Sequence, residues 1–362
     1  MEKNRSYGVD VLKVLAMVLI CGHHVLTHGG VLDTAAPDGA AYAWLIYGIT
    51  SVGVNVFAMT SGYLGGNRRF RLSSAIMHWL QVVFYTVSIT LIALVFWPGT
   101  VGKQELLNAV CPVSYQQYWY VTAYFCMLFF TPVLNQAIMG LSRGGLAACT
   151  ACILLLLSVQ QTGLQFDIYG ANHGYSALWL MAMYLVGGLW KRMEPDAPKH
   201  AGAAGAAAAC ACFVGMWAFK LLVEAAGLQA SVKATLLMRY TSPLMVIAAL
   251  GLMMACTNLS APNAFAARLG AEMAQASFGV YLIHDHLMIR QHVVSGRFAW
   301  IAQHGPGGIA LLTILCAVVI FVCCAAIDRV RAALFVLLRI RMIVQRMLEG
   351  LGRLVCGRCV KE

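Results

Sequence analysis

Charge is scarce in this sequence, and acid is scarcer still. Asp, Glu, Lys and Arg together supply 11% of its 362 residues, and 25 basic residues stand against 14 acidic ones. Soluble domains carry about a quarter of their residues as charges, so a soluble globule is excluded. Paired cysteines are also lacking. The 13 cysteines lie singly in apolar runs, as with Cys21, Cys126, Cys210 and Cys316, and read as small buried hydrophobes without a disulfide framework. One Cys356-Gly-Arg-Cys359 pair has no second half, so no metal site is expected. A cleavable leader is not expected either. The polar stretch from Met1 to Tyr7 leads into a run that holds Asp10 and Lys13 and ends without a small-residue cleavage site.

What the sequence does have is apolar length. With 60% hydrophobic residues and repeated runs long enough to cross a bilayer, it predicts an all-α, polytopic helical membrane protein. About ten transmembrane helices are expected, near 9–28, 42–64, 76–97, 118–139, 145–161, 174–190, 203–224, 236–257, 273–294 and 307–327. One set of span ends carries eighteen Lys and Arg residues, among them Lys3, Arg5, Arg68, Arg69, Arg71, Lys191, Arg192 and Arg268, against Lys103, Lys233 and Arg297 on the other. The positive-inside rule then places both termini in the cytoplasm. The net charge of +11 is accounted for by the lipid-facing inner surface, so no nucleic-acid partner is implied. Residues 1–327 read as one integral-membrane domain. Residues 328–362 read as a basic tail, with Asp328 to Gly350 as an amphipathic helix on the inner leaflet. Between spans three and four, Leu106 to Val110 reads as an interfacial turn.

The first span carries Asp10, Lys13 and His24 on one face. Lys13 and His24, eleven residues apart, point within about 20° of each other and lie roughly 16 Å apart along the axis. Ionisable groups inside a span are costly and mark a pathway or a site. An ion pair explains Asp10 and Lys13 equally well, but leaves the deeper His24 unexplained. Arg69 and Arg71 end the connection to span three, and with Lys13 they would form a cytoplasm-facing anion site; a purely topogenic role is the competing reading. Span two ends in Phe57-Ala-Met-Thr60-Ser61-Gly62-Tyr63-Leu64, where the hydroxyls either pack or line a cavity. Span four opens with Tyr118-Trp119-Tyr120, which is either an interfacial belt or a sugar platform. Span nine holds Ser277, Tyr281, His284 and Asp285. The His–Asp neighbours are either acid–base machinery at the depth of His24 or a structural staple.

In combination these segments resemble the acyltransferase 3 family, integral-membrane acyltransferases of surface glycans. His24 matches the histidine of the family's first-helix signature, and Lys13 stands where that signature usually has arginine. The Ser61-Gly62-Tyr63-Leu64 run, the Arg69-x-Arg71 pair and Ser277…Tyr281-Leu282-x-His284 follow in the family's order, so the resemblance covers about residues 5–290. It implies transfer of an acyl group, usually acetyl, from cytoplasmic acetyl-CoA to a hydroxyl of an extracytoplasmic glycan or lipid-linked sugar, in an inner or plasma membrane. His24 would then be the general base, oriented by His284 or Asp285. Lys13, Arg69 and Arg71 would hold the donor, while Ser61, Tyr118, Trp119, Tyr120 and Tyr281 would meet substrate. Transient acylation of His24 is the other chemical route. A secondary transporter or flippase for a sugar-lipid or organic anion is the alternative function, and the lack of an internal repeat speaks against it.

Overall fold

A computed structural model describes residues 6–66 and 69–359. Lys3, Arg5, Arg68 and Lys361 lie outside the described residues, as do the side chains of the Cys356–Cys359 pair. The described residues form helices without strands: α1 (Tyr7–Leu26), α2 (Val31–Thr34), α3 (Pro37–Ser51), α4 (Gly53–Gly65), α5 (Leu72–Phe96) and α6 (Lys103–Val110). There follow α7 (Trp119–Gly140), α8 (Arg143–Leu154), α9 (Gln161–Leu164), α10 (Ala177–Met193), α11 (Ala201–Ala225) and α12 (Pro243–Thr257). The chain ends with α13 (Ala264–His284), α14 (Leu287–Ile289), α15 (Pro306–Leu337) and α16 (Ile340–Cys359).

Eight stretches among the described residues are long and apolar enough to cross a membrane. At the sixth and ninth predicted spans stand α10, which has 17 residues, and α13, which carries Arg268 and Glu272. Both are shorter in apolar length than the other eight. The second predicted span is α3 and α4, which meet at Val52. The fifth runs from α8 through a π-helical segment, Leu155–Gln160, into α9. Mean hydropathy stays high across both joints despite Thr50 and Ser51 at the one and Ser158 and Gln160 at the other, so a pattern of hydropathy reads straight through them. The interfacial turn is α6, with Leu106, Leu107 and Val110 exposed.

The first helix is the hub. It packs against α3, α4, α12, α13 and α15, and Leu12, Ala16, Cys21 and Val25 are buried. Close approach fixes α4 on α10. A Cβ added at Gly62 would stand 1.8 Å from the Tyr184 carbonyl oxygen, and one at Gly187 would stand 1.8 Å from that of Met59. Only glycine permits backbone contact of this kind in a membrane bundle.

Asp328, 2% exposed, ties α5 to α15. Its Oδ1 accepts hydrogen bonds from Gln81 Nε2 at 3.1 Å and from the Tyr85 hydroxyl at 2.8 Å. Arg331 Nη2 donates to both carboxylate oxygens at 2.9 Å. A buried carboxylate is tolerated when its oxygens are satisfied in this way. The expected amphipathic helix from Asp328 to Gly350 is therefore not one piece. Its first part, Asp328 to Leu337, continues the last span, the chain turns at Leu338–Arg339, and α16 begins at Ile340.

Candidate active site

Two cavities meet inside the bundle. The inner one, about 840 Å³, lies between α1, α4, α5, α7 and α10, with Arg341 of α16 at its edge. Its charged lining is Lys13 from α1, Arg69 and Arg71 ahead of α5, and Arg341 from α16. No acidic residue is among the described residues that line it. Deeper in, its polar groups are neutral. His78 Nδ1 donates to the Ser74 carbonyl at 2.8 Å, which leaves Nε2 as an acceptor. The Tyr184 hydroxyl donates to Asn135 Oδ1 at 2.7 Å, and the Ser61 hydroxyl to the Phe57 carbonyl at 3.1 Å.

The outer chamber is small, about 50 Å³, room for roughly three or four waters. His23, His24, Thr50 and Ser51 line one side, and Trp119, Tyr120, Tyr240 and Tyr281 the other. Trp119 and Tyr240 stack with their rings 6.1 Å apart and inclined by 19°. Phe57 lines both cavities and so forms the wall between them.

With both imidazoles neutral, one carbonyl orders the hydrogen bonds around His24. His284 closes α13, and its Nδ1 lies 2.6 Å from the Val280 carbonyl oxygen one turn back. A carbonyl only accepts, so that nitrogen carries the hydrogen. Neutral His284 must then accept at Nε2, which lies 3.0 Å from His24 Nδ1. His24 therefore donates from Nδ1 and keeps the lone pair on Nε2. Asp285 stands farther off, with Oδ1 3.7 Å from His24 Nδ1 and 3.5 Å from Arg290 Nη1. Asp285 Oδ1 is buried without a hydrogen bond of good geometry, and the buried Tyr281 hydroxyl faces that carboxylate. His24, His28 and Asp285 also bring potential metal-ligand atoms within 4.8 Å of one another.

The model of the Acyl_transf_3 family, described as an acyltransferase domain, matches residues 6–328. The chain belongs to the acyltransferase 3 family. No curated protein and no solved structure matches the chain.

Within this acyltransferase 3 domain, most of the residues singled out in the sequence come together. Lys13, Arg69 and Arg71 share the inner cavity; His24, Trp119, Tyr120 and Tyr281 share the outer chamber, with His284 behind His24. Ser61 falls in the inner cavity, beneath the Phe57 wall and away from the aromatic chamber. Tyr118 lies apart from them. It lines neither cavity, is 2% exposed, and spends its hydroxyl on the Leu282 carbonyl at 2.7 Å. Successive helical residues point about 100° apart, so Trp119 turns into the chamber while Tyr118 turns onto α13 and braces its last turn. Of the two partners considered for His24, His284 makes the hydrogen bond and Asp285 does not.

From the sequence, His78 and Tyr240 carry no site role, His23 is set off the His24 face as a position that tolerates substitution, and Arg341 is placed in the basic amphipathic tail. His23 lines the same chamber as His24, with Nδ1 3.4 Å from Ser51 Oγ and its ring beside Tyr47. His78 is an ionisable residue within the third span, a signal of the same kind as His24. Tyr240 lies in the turn ahead of α12 and reaches the chamber through folding alone.

Proposed function

We propose that this acyltransferase moves an acyl group, in the simplest case acetyl, from cytoplasmic acyl-CoA to a hydroxyl of an extracytoplasmic glycan or lipid-linked sugar. The observation that carries the reading is the pairing of an acid-free, cation-lined inner cavity with a histidine chamber across one aromatic wall. Phosphates of the donor suit the Lys13, Arg69 and Arg71 end, since guanidinium and ammonium groups bind such oxygens through charge-assisted hydrogen bonds. The pantetheine arm would lie along the neutral groups of α5 and α7 and bring the thioester to Phe57. The acceptor would present one hydroxyl among Trp119, Tyr120 and Tyr240.

In this mechanism His24 Nε2 removes the proton from the acceptor hydroxyl as its oxygen attacks the thioester carbonyl. The carbonyl oxygen gains negative charge, and the Tyr281 hydroxyl, which lines the chamber, is the donor at hand to stabilise it. Collapse of the tetrahedral intermediate forms the ester and breaks the carbon–sulfur bond. The His24 imidazolium then returns its proton to the departing thiolate, giving free CoA. His284 holds His24 in the tautomer this requires.

The test is thiol release from acetyl-CoA by purified protein in lipid discs, together with mass spectrometry of cell-surface glycans for one added acyl mass. His24→Ala should lower acceptor-dependent transfer by about 10²- to 10⁴-fold while leaving the protein folded. Transfer at the wild-type rate in that variant would remove His24 from the chemistry.

A further inference from the structure

We propose that the C-terminal helix α16 belongs to the donor site, with Arg341 serving as a fourth cation at the mouth of the inner cavity. The inference rests on the donor reading of that cavity. It concerns a segment beyond residue 328, where the family match ends, so nothing in the family signature points to it.

The turn before α16 aims the helix. Arg339 takes φ +53°, the left-handed conformation that L-residues seldom adopt. Its N–H donates to the Val336 carbonyl at 3.0 Å, closing α15, and its own carbonyl accepts from Met342 and Ile343, starting α16. The reversal lays α16 against α5, the helix that follows Arg69 and Arg71. Val344, 5% exposed, is its buried anchor. Arg341 precedes Val344 by three residues and so shares its bundle-facing side, and its side chain lines the inner cavity. Ile343, Met347 and Leu351, spaced four apart, are exposed and form the stripe an interfacial helix offers to lipid. The helix thus turns an apolar stripe outward and Arg341 toward the cavity.

Charge says what the mouth is for. Lys13, Arg69, Arg71 and Arg341 converge with no acid among the described lining residues. Gathered cations of one sign repel each other and focus a positive field, so such a cluster favours a ligand bearing several phosphates. The phosphorylated nucleotide end of CoA has that chemistry, and a free pantetheine thioester does not.

The two donors together make the test. Arg341→Ala should weaken acetyl-CoA binding to the full-length protein about tenfold at low ionic strength, with the gap closing as salt is raised. KM for acetyl-CoA should rise alongside while kcat changes little, and Arg341→Lys should recover part of the loss. Turnover of S-acetylpantetheine, which lacks phosphates, should respond far less to Arg341→Ala. Equal acetyl-CoA affinity in wild type and Arg341→Ala would overturn the inference and leave the donor reading standing. An equal loss with S-acetylpantetheine would also overturn it, by showing that Arg341 only supports the fold. Failure of the wild-type protein to bind acetyl-CoA would remove the donor reading and this inference with it.

Discussion

At the residue scale, the site turns on a hydrogen that His284 cannot keep on Nε2. Because the Val280 carbonyl claims Nδ1–H, His284 is an acceptor toward His24, and that relay is what a substitution must preserve. His284→Gln should retain more activity than His284→Ala, because an amide oxygen can still accept from His24 Nδ1. The check is kcat at saturating donor for both variants; equal loss would mean that His284 acts through bulk alone. His24 and His284 were legible in the sequence because an imidazole inside an apolar span demands a reason. The choice between His284 and Asp285 was not legible. It depends on where α13 ends and which way its last turn faces. Tyr118 and Trp119 make the same point: three consecutive aromatic residues advertise a surface, but only the helix phase says which of them faces a chamber.

At the scale of elements, apolar length marked where the helices run, and the joints escaped notice. Mean hydropathy stays high through Val52 and through the π-helical segment after α8, since the few polar residues there, Thr50, Ser51, Ser158 and Gln160, are outweighed by their apolar neighbours. Asp328 is a different case. It was read as the start of a surface helix, yet it is the buried centre of a cluster with Gln81, Tyr85 and Arg331. A carboxylate three residues before an arginine looks the same on a surface as in a core; the partners from α5 come from more than two hundred residues away. Asp328→Ala leaves Arg331 facing a buried site without its counterion, a loss worth about 3–5 kcal/mol. Thermal unfolding of the purified protein should show a marked drop in midpoint for this variant, with Asp328→Asn intermediate because it keeps an acceptor for Tyr85. An unchanged midpoint in Asp328→Ala would show that α15 is held by apolar packing alone.

At the scale of the whole molecule, the arrangement is two compartments of unequal size around the hub helix. One helix, α1, supplies Lys13 to the large compartment and His24 to the small one, and that much was visible from a spacing of eleven residues. What the other helices add, from Tyr240 to Arg341, is set by contacts across the fold and leaves no local pattern to read. If Phe57 is the wall between donor and acceptor sides, Phe57→Ala should let water reach the thioester. Acetyl-CoA hydrolysis without acceptor should then rise several-fold while acceptor-dependent transfer falls, as read by thiol release with and without acceptor. Unchanged basal hydrolysis would mean that another group seals the chamber.

The same phenylalanine has an electrical consequence. A path of hydrated, ionisable groups running from Lys13 through His24 to the outer surface would be a proton wire, and a membrane that stores energy as a gradient cannot tolerate one. Phe57 interrupts that wire with a ring that neither gives nor takes a proton. On the proposed function, an enzyme that draws a reactant from each face of a charged membrane would thereby still behave, toward protons, as an insulator.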